Sequence, residues 1–310
     1  MTRRARGWLL VAAMVFAAAA LRSAGRSDLI FREADLGLDD PAVHDLPTLV
    51  SAQMPAPSPA ERAQPVAVLV HGFGATTFEL GPVAEDLRAH GILASQILLA
   101  GHGTTVRDQA ARSSESWADP IRTEVASLAA LGFDRVTIVA ASMGAALVLD
   151  LLARGDLEPP PRRLVFVSPL IEFADWRMRF LPLFELAGIK GSRVAWHGAA
   201  AGHWYPTRPA AALAELRRLT NRNRTALDVG IPIPPDSRVL VIHAEGDRTV
   251  SGRGLDRLAR GLGGAEVEVV RVPVMIHVPV KPADCDRPWT AEEMAIQREL
   301  LARIRAFTSE

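Results

Sequence analysis

The sequence of 310 residues contains little cysteine, little lysine and no net charge. Its single cysteine, Cys285, excludes an intramolecular disulfide and any metal cluster built on several cysteines. Lysine occurs only at Lys190 and Lys281, so almost all basic residues are arginines. Basic and acidic residues number 35 each, and no basic stripe interrupts this balance. The composition therefore gives no indication of a nucleic-acid partner.

The hydrophobic fraction of 49% and the charged fraction of 23% are those of a globular protein with a sizeable core. The length fits one large α/β domain or two small ones. The histidines are scattered without the spacing of metal ligands, so we predict no metal site.

The N-terminus has the pattern of a targeting segment. Several arginines precede an apolar run from Trp8 to Leu21, and Arg22 and Arg26 follow it. The run is shorter than the ~20 residues of a full transmembrane span. A positive start followed by a short apolar run predicts a signal peptide or signal anchor over residues 1–26. We expect an exported protein, either periplasmic or extracellular, or tethered to the membrane by this segment. A buried helix of the domain is disfavoured because the arginines flank the run.

Residues 27–64 have little periodicity and several prolines. They are predicted to be a linker or an irregular N-terminal segment, with one strand near Leu46–Gln53.

From Pro65 onward, apolar runs alternate with helical patterns. Continuous apolar runs are typical of strands buried on both faces of a parallel sheet. Helices are predicted at 79–90, 116–131, 145–152, 255–262 and 290–307. This alternation predicts an α/β fold with a mostly parallel central sheet and helices on both faces. The predicted strands are Val66–Val70, Ile92–Leu99, Val136–Ala141, Arg163–Val167, Arg238–His243 and Val267–Val272.

One region, residues 169–235, breaks this alternation. It is rich in aromatic residues, Trp204 among them, and its pattern favours short helical pieces. An insertion beyond the carboxyl ends of parallel strands lies where a small helical cap would cover a binding crevice. The alternative is ordinary surface packing by short helices.

The strand predicted at Val136–Ala141 leads directly into small residues around a serine, Ala140-x-Ser142-x-Gly144. A strand that turns sharply into a helix needs small side chains beside the turn, and it presents the serine to a substrate. Ser142 is therefore a candidate nucleophile. The alternative is a serine that only caps the helix after a buried strand.

A serine hydroxyl needs a base to accept its proton. His277 is the best candidate, because it lies in a loop directly after the last predicted strand. His197 and His203 fall in the predicted cap, and His243 falls inside an apolar strand, where a core histidine is expected.

The base in turn needs an acid that orients it. Asp247 follows the strand that ends near residue 243, whereas its rival Glu245 lies closer to the strand end. The order Ser142, Asp247, His277 is the one found in sheets that carry a serine elbow.

Backbone N–H groups can bind the oxyanion that forms during attack on a carbonyl. One would come from Met143, directly after the nucleophile, where the helix dipole also favours negative charge. The other would come from Phe73, in the loop His71-Gly72-Phe73-Gly74 after an early strand. Glycines allow this loop to approach the site closely.

Taken together, His71-Gly72-Phe73-Gly74, Gly101-His102-Gly103, Ala141-Ser142-Met143-Gly144, Gly246-Asp247 and His277-Val278 resemble the α/β-hydrolase superfamily. Within it, the chain is most similar to small-capped carboxylesterases and monoacylglycerol lipases, over residues 65–307. Ala140 departs from the usual elbow glycine, and Ile276 stands where relatives usually have glycine.

The resemblance implies an α/β-hydrolase domain over residues 65–310 and a Ser142–His277–Asp247 triad. It also implies an oxyanion hole from Phe73 and Met143, and hydrolysis of carboxylic esters without a cofactor. We expect His71, Gly72 and Trp204 to contact the substrate, whereas His102 belongs to a structural loop. The expected substrate is a small-molecule or lipid ester. An acyltransferase and a non-catalytic binding protein of the same fold remain as alternatives.

Overall fold

The computed structural model describes residues 28–36, 45–196, 198–283, 285 and 287–310. Nine strands alternate with helices along these described residues. The strands are β1 (Leu29–Ile30), β2 (Val66–Val70), β3 (Leu93–Ile97), β4 (Val136–Ala141), β5 (Arg163–Val167), β6 (Gly191–Arg193), β7 (Thr207–Pro209), β8 (Arg238–Ala244) and β9 (Glu266–Val272). The helices are α1 (Val50–Gln53), α2 (Pro59–Arg62), α3 (Gly81–Ala89), α4 (Val106–Ala111), α5 (Ser114–Ala130), α6 (Met143–Arg154), α7 (Leu181–Leu186), α8 (Ala210–Val229), α9 (Gly254–Gly261) and α10 (Ala291–Ser309).

Six strands form the central sheet in the order β3-β2-β4-β5-β8-β9, and every neighbouring pair is parallel. Strands β2 and β4 lie in register, with Val70 opposite Ala140. All five residues of β2 are buried, as expected for a strand covered on both faces. The predicted fold, a parallel sheet enclosed by helices, is confirmed.

Alternate side chains of the inner strands point to opposite faces of the sheet. Val68 and Ile138 pack on one face with helices α5, α6, α8 and α9. Leu69 and Val139 pack on the other face with α3 and α10. Burial of both faces by apolar side chains is the main source of stability in such a fold.

The region predicted as a cap differs from the expected short helical pieces. It contains α8, a helix of 20 residues that is buried on one face. Leu216, Leu219 and Leu227 of α8 join the core, and the Asn223 side chain donates to the Ala146 carbonyl oxygen at 2.7 Å. This part of the insertion therefore packs into the helical layer on the sheet. Strands β6 and β7 form a second, antiparallel sheet with β1.

The segment before Pro65 packs on the domain at more than one point. Thr48 and Gln96 exchange two backbone hydrogen bonds, of 3.0 and 2.8 Å, at the edge of β3. The strand predicted near Leu46–Gln53 is limited to that bridge, and α1 follows it instead. The side chain of Val50, the first residue of α1, is buried in the core.

The predicted signal segment, residues 1–26, lies outside the described residues. No helix among the described residues has the length and apolarity needed to cross a bilayer.

The turn between β4 and α6 brings two backbones unusually close. Ser142 at this turn has φ 49° and ψ −113°, a strained conformation for a residue with a side chain. A Cβ atom at Gly144 would lie 2.6 Å from the carbonyl oxygen of Val70 and 2.7 Å from that of His71. Only glycine allows α6 to begin against the end of β2.

Gly144→Ala should lower the free energy of unfolding by at least ~2 kcal/mol, because neither backbone carbonyl can move without disturbing β2. The measurement is denaturant unfolding of the purified variant. Gly81→Ala is the matched control, since Gly81 also begins a helix and a Cβ there meets nothing within 4 Å. The control should be neutral or slightly stabilising. Equal stability of Gly144→Ala and wild type would contradict the close packing.

Candidate active site

Three side chains from the ends of three strands meet at one edge of the sheet. The Nε2 atom of His277 lies 2.8 Å from the Oγ atom of Ser142. The Nδ1 atom of the same ring lies 2.7 Å from Oδ2 of Asp247. The sequence predicted these three residues as nucleophile, base and acid, and the structure brings them together in that order. Such a chain lets the ring accept the serine proton while the carboxylate fixes its orientation.

The Asp247 carboxylate is enclosed by hydrogen-bond donors. Its side chain is fully buried, whereas that of His277 is 23% exposed. The other carboxylate oxygen, Oδ1, accepts N–H groups from Thr249 at 2.7 Å and Val250 at 3.1 Å. Burial by itself raises the pKa of Asp247, but the bond from His277 and these N–H groups outweigh it and lower the pKa below its ordinary value. The group is therefore held as a carboxylate facing the ring.

The loop that carries Asp247 and the loop that carries His277 are bonded to each other. The Gly246 N–H donates to the Val274 carbonyl oxygen at 3.0 Å. Val274, Ile276 and Val278 alternate inward into the core, and the residues between them remain outside. Ile276 is thus a core residue, and the departure from glycine at this position leaves His277 within reach of the serine.

The other candidates for the base and the acid that the structure describes lie in different surroundings. His203 binds Asp45 at 2.6 Å and stacks on the ring of Phe78. His243 is buried in β8, and its Nδ1 atom has no hydrogen-bond partner among the described residues. Glu245 and Asp247 both line a cavity of about 550 Å³ beside His243, but it is Asp247 that binds His277. His197 lies outside the described residues.

The loop that carries Phe73 is held by His71. The Leu99 N–H donates to Nε2 of His71 at 3.1 Å, so the ring proton is on Nδ1, which donates to the Gly72 carbonyl oxygen at 2.9 Å. In a trans peptide the carbonyl and the N–H point in opposite directions. The Phe73 N–H, in the same peptide unit, therefore points away from His71. Both ring nitrogens of His71 take part in these two hydrogen bonds. The predicted contact of His71 with substrate stays a prediction.

Met143 is the first residue of α6, directly after Ser142. The first N–H groups of a helix have no partner within the helix, and the helix dipole makes this end favourable for an anion. Gly72 also adjoins Ser142, since a Cβ atom at Gly72 would lie 3.2 Å from Cβ of Ser142. The N–H groups predicted to bind an oxyanion thus belong to the two segments that flank the serine.

Comparison with known proteins matches this architecture. A family model described as "Alpha/beta hydrolase family" matches residues 67–289, more than half of the chain. The chain belongs to the alpha/beta hydrolase family.

Solved structures with the same fold include several lipolytic enzymes. One, from work on the metagenome-derived LipS and LipT, has a TM-score of 0.65 and 19% identity, covering 86% of this chain and 98% of that chain. A monoacylglycerol lipase from Paleococcus ferrophilus has a TM-score of 0.57 and 14% identity, covering 79% and 96%. A monoglyceride lipase from Saccharomyces cerevisiae has a TM-score of 0.63 and 12% identity, covering 82% and 88%. At these identities the likeness shows the fold alone. A search of curated proteins finds no match.

In this alpha/beta hydrolase, the cap residue Trp204 is only 4% exposed. It packs with Trp196 and with Ala75 and Phe78, which follow the loop of residues 71–74 predicted to bind an oxyanion. The next residue, Tyr205, donates its N–H to the Gly74 carbonyl oxygen at 2.8 Å. The insertion is therefore bonded directly to this loop. The contact of Trp204 with substrate remains a prediction.

One site residue was missed from the sequence. Glu79 is buried and accepts the N–H of Gly72 at 2.6 Å. A carboxylate between Phe78 and Leu80, seven residues after the His-Gly pair, was the available signal. The described residues contain no group of three or more His, Cys, Asp or Glu side chains that could hold a metal ion.

Two buried histidines make the stability depend on pH. Burial lowers the pKa of His71 to about 3, with a further contribution from His102, and burial lowers that of His102 to about 4. Both values lie below the unfolded value near 6.5. The unfolded chain therefore binds more protons below pH 6.5, and stability is lost as the pH falls through this window.

We expect unfolding free energy to fall by about 2 kcal/mol for each of these histidines between pH 6.5 and pH 5. The measurement is denaturant unfolding at pH 7 and pH 5. His102→Gln should reduce the loss between the two pH values by about that amount, because it removes one of the two groups. His90→Gln, at the exposed end of α3, controls for loss of a histidine. An identical pH dependence in His102→Gln and wild type would contradict the assignment.

Proposed function

We propose that this protein is a serine hydrolase that cleaves carboxylic esters through an acyl-enzyme on Ser142. The observation that carries the proposal is the continuous hydrogen-bonded chain from Ser142 Oγ through His277 to the buried Asp247. Without such a base, a serine hydroxyl is a weak nucleophile. The strained turn supports the same assignment, because strained backbone is concentrated at functional sites.

In the first step His277 Nε2 takes the proton of Ser142 Oγ as that oxygen attacks the ester carbonyl carbon. The resulting imidazolium is stabilised by the Asp247 carboxylate. The N–H groups of Phe73 and Met143 bind the oxyanion. The imidazolium then protonates the leaving alcohol as the carbon–oxygen bond breaks, and the acyl group remains on Ser142.

In the second step His277 removes a proton from water, which attacks the acyl-enzyme. A second tetrahedral intermediate forms in the same oxyanion hole, and its collapse returns the proton to Ser142 and releases the carboxylic acid. If an alcohol replaced water, the product would be a new ester. Product analysis with added alcohol therefore separates a hydrolase from an acyltransferase.

The aromatic residues of the insertion favour an ester with an apolar acyl group, such as a short- to medium-chain ester or a monoacylglycerol. Lipolytic neighbours of the same fold are consistent with this class. Export, and a membrane tether through residues 1–26, stay part of the proposal, since a lipid ester would be met at a membrane.

Ser142→Ala should fold normally and lose hydrolysis of p-nitrophenyl esters by on the order of 10³-fold or more, because the nucleophile is absent. Asp247→Asn should lose a comparable factor while keeping its folded stability above pH 5 within a few kcal/mol. The measurement is initial rate at saturating ester, with circular dichroism to check folding.

A fluorophosphonate probe should label the wild type at Ser142, located by peptide mass spectrometry, and should not label Ser142→Ala. Ser127→Ala, within α5, is the matched serine control and should keep full activity. Wild-type activity in Ser142→Ala would show that the assignment is wrong, and absence of both labelling and hydrolysis in the wild type would favour a non-catalytic binding protein.

A further inference from the structure

A buried carboxyl group supports the proposed oxyanion loop, residues 71–74. Glu79 lies in the short 3₁₀ turn Thr77–Leu80 and is 5% exposed. Its Oε2 atom accepts the Gly72 N–H at 2.6 Å, a short distance typical of a bond to a charged acceptor. Gly72 directly precedes Phe73, whose N–H belongs to the proposed oxyanion hole. The carboxyl group thus bonds one peptide away from that N–H.

The Gly72 backbone is confined between the nucleophile and this carboxyl group. A Cβ atom built on Gly72 would lie 3.1 Å from Glu79 Oε2 and 3.2 Å from Ser142 Cβ. Both neighbours therefore leave little room for a side chain at Gly72. A displacement of the carboxyl group by an ångström would move the loop relative to the serine, and catalytic geometry is sensitive to shifts of that size.

The same carboxyl group faces the insertion. The Trp204 indole N–H, which can only donate, acts on the Glu79 carboxyl group and favours a lower pKa. Trp204 is itself buried, and the adjacent Tyr205 donates its N–H to Gly74 in the oxyanion loop. The insertion therefore meets the loop at two points, directly through Tyr205 and by way of Glu79 through Trp204.

Retaining a carboxyl group in this place is costly, because an ionisable side chain is destabilised by burial. Burial raises the pKa of Glu79 above its ordinary value, although the Gly72 N–H, the Lys281 ammonium group, the His277 ring and the Trp204 indole N–H act in the opposite direction. These groups belong to the proposed oxyanion loop, to residues 277–281 and to the insertion. The carboxyl group is therefore surrounded by the parts of the proposed active site.

We propose that Glu79 is a positioning residue, which fixes the Gly72–Phe73 peptide for oxyanion binding and couples its orientation to the seating of Trp204. This inference rests on the proposed function. It predicts that the bond to Glu79 affects the transition state, where the oxyanion exists, more than it affects the bound ester.

Glu79→Gln tests this with almost no change of shape. The amide oxygen can accept one of the two N–H groups, and the amide nitrogen then faces the other donor. We expect kcat on p-nitrophenyl esters to fall by about 10- to 100-fold with KM changed by less than about threefold. Rates are divided by the fraction of sites that the fluorophosphonate probe labels, so that misfolded protein does not contribute. Glu85→Gln, an exposed carboxylate on α3, is the matched control and should keep its kcat.

Trp204→Phe removes the indole donor while keeping an aromatic ring, and it should lower kcat in the same way. The kcat of the double variant should fall by less than the product of the two single reductions, because both substitutions remove the same interaction between Glu79 and Trp204. If Glu79→Gln does not fold, Trp204→Phe decides the question alone. A kcat within twofold of wild type in either folded variant would overturn the inference, even if stability is lower.

Hydrogen exchange of the peptide covering residues 71–80 gives a readout that needs no activity. Exchange should be faster in Glu79→Gln and Trp204→Phe, and unchanged in Glu85→Gln. Unchanged exchange in both site variants would overturn the inference. A wild type that neither hydrolyses esters nor reacts with the probe would instead overturn the proposed function, and the exchange result would still show whether Glu79 orders the loop.

Discussion

The approach of α6 to the end of β2 is the contact on which the whole site depends. At Gly144 the two backbones are so close that no side chain fits between them and the carbonyl groups of Val70 and His71. This contact places the serine turn beside the loop that follows β2. Since both segments are continuous with strands buried in the centre of the sheet, the sheet itself holds them in register. Ser142 and the proposed oxyanion donors are thus positioned by the buried centre of the sheet.

The central strands could be predicted because a strand that is buried on both faces is a continuous apolar run in the sequence. β2, β4 and β5 have the predicted bounds, since each is a continuous apolar run that ends at small or polar residues. The meeting of Ser142, Asp247 and His277 followed from the same reasoning, because parallel strands bring their carboxyl ends to one edge of the sheet. This general rule was sufficient to predict that Ser142 and His277, 135 positions apart in the sequence, lie close together.

Features that depend on distant partners could not be predicted in the same way. The leucines of helix α8 recur at helical spacing, but the many arginines between them weaken this pattern. The sequence alone also does not predict that α8 packs on α6. The strand β1 has two residues and exists only because β6 lies beside it. The neutral state of His71 likewise results from burial beside His102 and Leu99, which belong to another segment of the chain. A local pattern cannot encode such contacts.

The two edges of the central sheet are closed by different means. At β3, the backbone groups of Gln96 are already paired with Thr48 from the N-terminal segment. At β9, Glu266 and Glu268 are exposed and form ion pairs with Arg238 and Arg303. A foreign chain that added itself as a further strand would have to displace the Thr48 bridge on one side and desolvate charges on the other. Both features disfavour edge-to-edge pairing.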